Sequence, residues 1–184
     1  MAVLILGLAL WWCAHLFKRV APRLRAKLGN RGKALVALGV AGSIIVMVVG
    51  YRSADGAVFW PRSSALVGIN SLLMVIAFYL YAVGGAQGPR VWIGTKLRHP
   101  QLIGFSIWCL AHLLVTGDVA SFVLFGGLLG WALVEMALIN VQDGAWTPPP
   151  RAPRPKEVIF GIAALAIFGI IMFVHNWLGV QPWV

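Results

Sequence analysis

Four histidines stand out because this chain contains few other side chains that could do chemistry. They are His15, His99, His112 and His175. An ionisable side chain inside an apolar run costs free energy in a bilayer, so its presence indicates a function or a specific partner. No glycine-rich phosphate loop and no Ser/His/Asp spacing accompanies these histidines. They therefore indicate metal or haem ligation rather than hydrolysis.

The best local arrangement is Cys109-Leu-Ala-His112, in which positions i and i+3 lie on one helix face and offer two iron ligands. Cys13-Ala-His15 is weaker, because positions i and i+2 point in different directions. The chain has no Cys-x-x-Cys-His, so any haem would be non-covalent haem b. Taken alone, each histidine also fits an interhelical hydrogen bond, and Cys109 also fits a small buried apolar side chain.

The elements that must position these residues are apolar helices. Of the 184 residues, 60% are hydrophobic and 11% are charged, which leaves too little polar surface for a soluble globule. Open sheets would leave unpaired backbone groups in lipid, so we predict an all-α integral membrane bundle of about six transmembrane helices. Each helix approaches the roughly 20 residues that span a bilayer core, and residues 1–184 form one domain. The segments are 1–17, 34–51, 65–84, 100–116, 119–140 and 158–180.

The distribution of Lys and Arg predicts how the helices are oriented. All but two of the 15 basic residues lie in the first, third and fifth loops, the exceptions being Arg52 and Arg62. Basic loops stay on the cytoplasmic side, so both termini are predicted on the non-cytoplasmic side. The formal net charge of +10 is therefore explained by the basic loops that orient the helices in a lipid bilayer. Nucleic acid is not an expected partner, because the basic residues form no solvated face.

One stretch of the chain carries a specific family resemblance. The run Arg98-His99-Pro100-Gln101-Leu102-Ile103-Gly104, followed by Trp108 and then Ala111-His112-Leu113-Leu114-Val115-Thr116-Gly117-Asp118, resembles the NnrU family. Three other features are similar to the pattern of that family: His15-Leu16, Gly50-Tyr51, and the final His-x-x-Leu-Gly-Val from His175 to Val180.

The resemblance implies a bacterial inner-membrane protein linked to denitrification, that is, to nitrite and nitric oxide reductase activities. It also implies kinship with zeta-carotene isomerase, a haem b enzyme that isomerises a carotenoid double bond. By resemblance, His15 and His112 are the haem ligands and Cys109 is an alternative ligand. The candidate partners are a hydrophobic polyene, nitric oxide and a respiratory or denitrification enzyme. The depth of His112 along its helix leaves His175 as an alternative to His15.

Two other functions stay open. Arg98-His99-Pro100 also resembles isoprenylcysteine carboxyl methyltransferases, but those enzymes carry a downstream acidic pair and this chain has only Glu135 there. A simpler role for Arg98 and His99 is to anchor one helix end, with Pro100 in the first turn. The non-enzymatic alternative is an assembly factor that binds a respiratory enzyme through helix packing.

Overall fold

The structure is a computed structural model that describes residues 1–183, and it is predominantly helical. The helices are α1 (Ala2–Val20), α2 (Pro22–Lys27), α3 (Gly29–Arg52), α4 (Ser64–Gly85), α5 (Pro100–Val115), α6 (Val119–Ser121), α7 (Gly127–Asp143) and α8 (Pro155–Trp177). A 3-10 turn spans Trp92–Thr95, a π-helical stretch spans Phe122–Gly126, and two short strands are β1 (Val58–Trp60) and β2 (Gly117–Asp118).

The chain divides into two compact units. Unit 1 contains Met1–Trp60 and Gly117–Trp131, and unit 2 contains Pro61–Thr116 and the residues from Ala132 onward. Within residues 1–183, five helical stretches have the length and composition to cross a membrane: α1, α3, α4, α8 and the continuous run Val119–Asp143. The apolar helix α5 is shorter, at 16 residues. Each of these six stretches overlaps one of the six predicted segments, and the protein is a multi-pass membrane protein.

In unit 1, α1 packs along α3. Gly50 lies where the two backbones come closest, because a Cβ atom at this position would overlap the backbone of Leu4. Small residues permit this approach between membrane helices, where van der Waals contact drives association. Gly42 lies on the same helix with open space around it. The two glycines therefore have different roles, although the sequence shows them alike.

The end of α3 is joined to the segment before the π-helical stretch. Strands β1 and β2 pair antiparallel, with Val58 opposite Asp118. The hydroxyl groups of Tyr51 and Ser121 are hydrogen-bonded at 2.8 Å, and the Ser121 hydroxyl donates to Asp118 Oδ2 at 2.8 Å. Asp118 also caps the next turn, because its Oδ1 accepts the backbone N–H of Ser121. This hydrogen-bonded chain ends at Ser121, the residue directly before the π-helical stretch.

In unit 2, α4 packs against α5 and also against α8. Pro100 occupies the first turn of α5, as the sequence predicts, because its missing N–H would have no partner there. The α4–α5 pair is closest at Gly84, where a Cβ atom would overlap the backbone of Gln101. The adjacent Gly85 has open space around it. The backbones of α4 and α5 are therefore in close contact at this position.

The outward surface of the long helices is apolar. On α8, for example, Ile162, Leu165, Ile170 and Phe173 are each more than half exposed. Contiguous apolar surface of this extent is unfavourable in water. The apolar helices fit a lipid bilayer.

Candidate cofactor-binding histidines

His15 lies in unit 1 on α1, and its side chain is oriented by a hydrogen bond to the backbone and by contacts with two tryptophan rings. Its Nδ1 is 3.0 Å from the carbonyl oxygen of Trp11, one turn earlier on the helix. A carbonyl oxygen only accepts, so Nδ1 carries the proton and the lone pair lies on Nε2. The imidazole centroid is 4.0 Å from the Trp11 ring and 4.6 Å from the Trp131 ring. Histidine ligands to metals are oriented by this kind of hydrogen bond at their second ring nitrogen.

His112 lies in unit 2 on α5 and has the same local geometry. Its Nδ1 is 2.9 Å from the carbonyl oxygen of Trp108, again one turn earlier. The Trp108 ring packs on the imidazole with a centroid separation of 4.9 Å. The lone pair is therefore on Nε2, the nitrogen that commonly binds iron or zinc.

Both predicted ligands thus belong to a Trp-x-x-x-His unit, which the sequence analysis missed. The spacing Trp11 to His15 and Trp108 to His112 is visible in the sequence, and four residues is the distance of one hydrogen-bonded helical turn. His175 makes the same Nδ1 hydrogen bond, at 2.8 Å, but to the carbonyl of Ile171. His175 therefore also has its lone pair on Nε2. It differs from His15 and His112 because the residue one turn earlier is an isoleucine and not a tryptophan.

The two cysteines differ in burial. Cys109 is buried in unit 2, three residues before His112 on α5, and Cys13 is exposed on α1. The structure thus brings Cys109 and His112 onto one helix and places His15 in the other unit.

Among residues 1–183, no group of three or more His, Cys, Asp or Glu side chains is arranged to hold a metal ion. Axial ligation of haem uses at most two protein side chains.

Arg98 and His99 hold the start of α5 in place. The Arg98 guanidinium donates to the carbonyl oxygen of Gly144 at 2.6 Å, and His99 Nε2 is hydrogen-bonded to Asn140 Oδ1 at 2.8 Å. Both contacts connect the residues just before α5 to the end of α7 within unit 2. The anchoring role is the one that these contacts support.

Glu157 is a second residue that the sequence analysis missed. Its Oε1 accepts the backbone N–H of Trp92 at 2.7 Å and lies 3.5 Å from the Arg151 guanidinium, and its Oε2 accepts the Tyr79 hydroxyl at 3.3 Å. The same loops are joined by backbone hydrogen bonds between Arg90 and the segment Pro150–Ala152. The sequence signal is charge: Glu157 is one of only five acidic residues and lies beside a basic loop.

Replacing Glu157 with alanine is expected to loosen the loop before α5. The bond to the Trp92 N–H is worth about 1.5–3 kcal/mol because its acceptor is charged, whereas the half-exposed ion pair with Arg151 contributes little. Limited trypsin digestion should therefore cleave at Lys96 several times faster in Glu157→Ala. Arg151→Ala is the matched control and should digest at Lys96 as wild type does. Equal rates in all three proteins would contradict this role.

The fold and the two anchored histidines define a multi-pass α-helical membrane protein with oriented imidazoles on two membrane helices. Residues 3–182 match the model of the NnrU protein family, and the chain belongs to that family. Over 132 residues, 63% of this chain, it is 30% identical to the maize (Zea mays) protein 15-cis-zeta-carotene isomerase, chloroplastic. The match covers 33% of that relative, so the chain spans about a third of its length. No solved structure matches.

Proposed function

We propose that this protein binds haem b, for which His112 and His15 would be the candidate histidine ligands and Cys109 an alternative ligand. The observation that carries the proposal is the shared geometry of the two histidines. In each, Nδ1 donates to the carbonyl of a tryptophan one turn earlier, which puts the lone pair on Nε2. This donor set fits haem, whose axial histidines bind through a ring nitrogen while the other is hydrogen-bonded.

The reaction we propose is cis–trans isomerisation of a hydrophobic polyene. The maize relative, whose name describes this activity, supports the proposal. Haem iron would supply a redox-dependent Lewis acid at the polyene. The chain itself would orient the ligands through Trp11 and Trp108 and admit an apolar substrate from the bilayer across its apolar surface. The same proposed haem would also account for a role in denitrification, because nitric oxide binds to ferrous haem.

The test is an oxidised-minus-reduced absorption spectrum of protein purified in mild detergent, followed by an assay with 15-cis-zeta-carotene in micelles. A Soret band that shifts on reduction, with conversion of the cis isomer by the reduced protein, is the expected result. If haem is bound but the cis isomer is not converted, the haem proposal stands and the proposed isomerase activity is wrong. If no band appears after haem is supplied, the haem proposal fails, and S-adenosylmethionine binding and co-purification with a reductase subunit become the next measurements.

We also propose that the protein spans the bacterial inner membrane six times with both termini outside the cytoplasm. The concentration of Lys and Arg in three loops supports this orientation. Alkaline phosphatase fused to the C-terminus should be active and green fluorescent protein fused there should be dark. Fusions truncated at Lys156 should show the reverse pattern. A fluorescent C-terminal fusion would overturn the proposed orientation.

A further inference from the structure

His15 belongs to a cluster of three rings within unit 1. Its imidazole contacts the rings of Trp11 and Trp131 at centroid separations of 4.0 and 4.6 Å, and these two rings meet each other edge-on at 5.2 Å. Trp131 is only 5% exposed. The Nδ1 bond to the Trp11 carbonyl fixes one edge of the imidazole, and the Trp131 ring packs against it from a second helix. These contacts restrict rotation of the ring.

The position of Trp131 depends on the π-helical stretch Phe122–Gly126. A π turn inserts about one extra residue into a helix, which rotates everything beyond it by roughly 100° relative to a regular α-helix. Trp131 follows this stretch by one helical turn. The Trp12 indole N–H donates to the Gly127 carbonyl at 3.0 Å, at the end of the stretch. This bond fixes the register of α7 against α1, so that Trp131 faces His15.

We infer that Trp131 is a positioning residue for the haem ligand His15. The inference rests on the proposed function, because it concerns how a ligand is presented to iron. A ring that is already immobilised loses little rotational freedom when Nε2 binds, so haem is retained longer. The π-helical stretch has a role in this arrangement, since π turns in helices often occur at functional sites. The sequence alone gives no signal for it, because Trp131 lies far from His15 along the chain.

The test compares the haem-loaded wild type with Trp131→Leu and Trp131→Phe, using transfer of haem to apomyoglobin as the measure of release. Leucine keeps an apolar side chain but removes the ring face, and haem release is expected to become about 10-fold faster. Phenylalanine restores a ring and should return the rate close to wild type. The low-spin ferric electron paramagnetic resonance signal should broaden in Trp131→Leu and sharpen again in Trp131→Phe.

The control is Trp92→Phe, which alters a half-exposed indole in the 3-10 turn Trp92–Thr95, outside the ring cluster and the π-helical stretch. Its haem release should match wild type. A Trp131→Leu protein that releases haem at the wild-type rate would overturn the inference. So would a Trp131→Phe protein that releases haem as fast as Trp131→Leu. A wild type that binds no haem would overturn the proposed function itself, so the two failures are distinguishable.

Discussion

Replacing His112 with alanine is expected to remove the Soret band from protein purified with haem. The Nδ1 of His112 donates to the Trp108 carbonyl, so its lone pair lies on Nε2 and is the one that would bind iron. Loss of a group that merely orients a ligand already weakens metal affinity about 10-fold or more, and loss of the ligand itself should exceed that. Haem content per protein, measured as the pyridine haemochromogen, quantifies the effect.

The matched control is His99→Ala, which removes a histidine of the same unit that is hydrogen-bonded to Asn140. Its haem content should equal that of wild type. His15→Ala and His175→Ala identify the second ligand, because both histidines have the same tautomer. We expect His15→Ala to change the ferric absorption spectrum and His175→Ala to leave it unchanged. A full Soret band in His112→Ala would contradict the ligand assignment.

Replacing Gly84 with leucine is expected to destabilise the α4–α5 pair severely. A Cβ atom at Gly84 would overlap the backbone of Gln101, and no change of rotamer relieves a clash with Cβ. Overpacked sites in well-packed interiors lose about 1–3 kcal/mol, and this clash belongs at the upper end because it involves backbone. The free energy of unfolding should therefore fall by about 3 kcal/mol, measured by denaturant titration in mixed micelles.

Gly85→Leu is the control, because it makes the same substitution at the next position, where a Cβ atom meets nothing within 4 Å. Its stability should stay within about 0.5 kcal/mol of wild type. A difference between the two variants isolates the packing effect, since they share the loss of glycine from the end of α4. Equal stability of Gly84→Leu and Gly85→Leu would contradict the close approach of α4 and α5.

The membrane spans could be predicted because each depends on the local sequence. A run of apolar residues long enough to cross a bilayer must satisfy its backbone internally, so the helix follows from composition and length. The ends were harder to predict: α3 begins at Gly29, five residues before the predicted segment, and α8 ends at Trp177 rather than residue 180. Interfacial residues have no strong preference between helix and loop, so hydropathy does not define these boundaries.

The candidate site was only partly predictable. The helical spacing in the sequence indicated Cys109 and His112 as a pair of possible iron ligands, and the family resemblance implied His15 as the second histidine. That ligand assignment stays a prediction. The sequence did not identify Trp131 or Glu157, because their roles depend on partners distant along the chain. Aromatic residues near helix ends also fit a belt at the membrane interface. The sequence therefore gave no reason to assign the tryptophans a role beside the histidines.

By itself the sequence determined that this chain is a helical membrane protein, where its apolar helices lie and which histidines these helices carry. It did so because hydrophobic length and helical periodicity are properties of short segments. Only the tertiary structure decided that Gly84 and Gly50, but neither Gly85 nor Gly42, are in close contact, and that the π-helical stretch turns Trp131 toward His15. Those features depend on how neighbouring helices are rotated and aligned, which van der Waals packing within each unit sets.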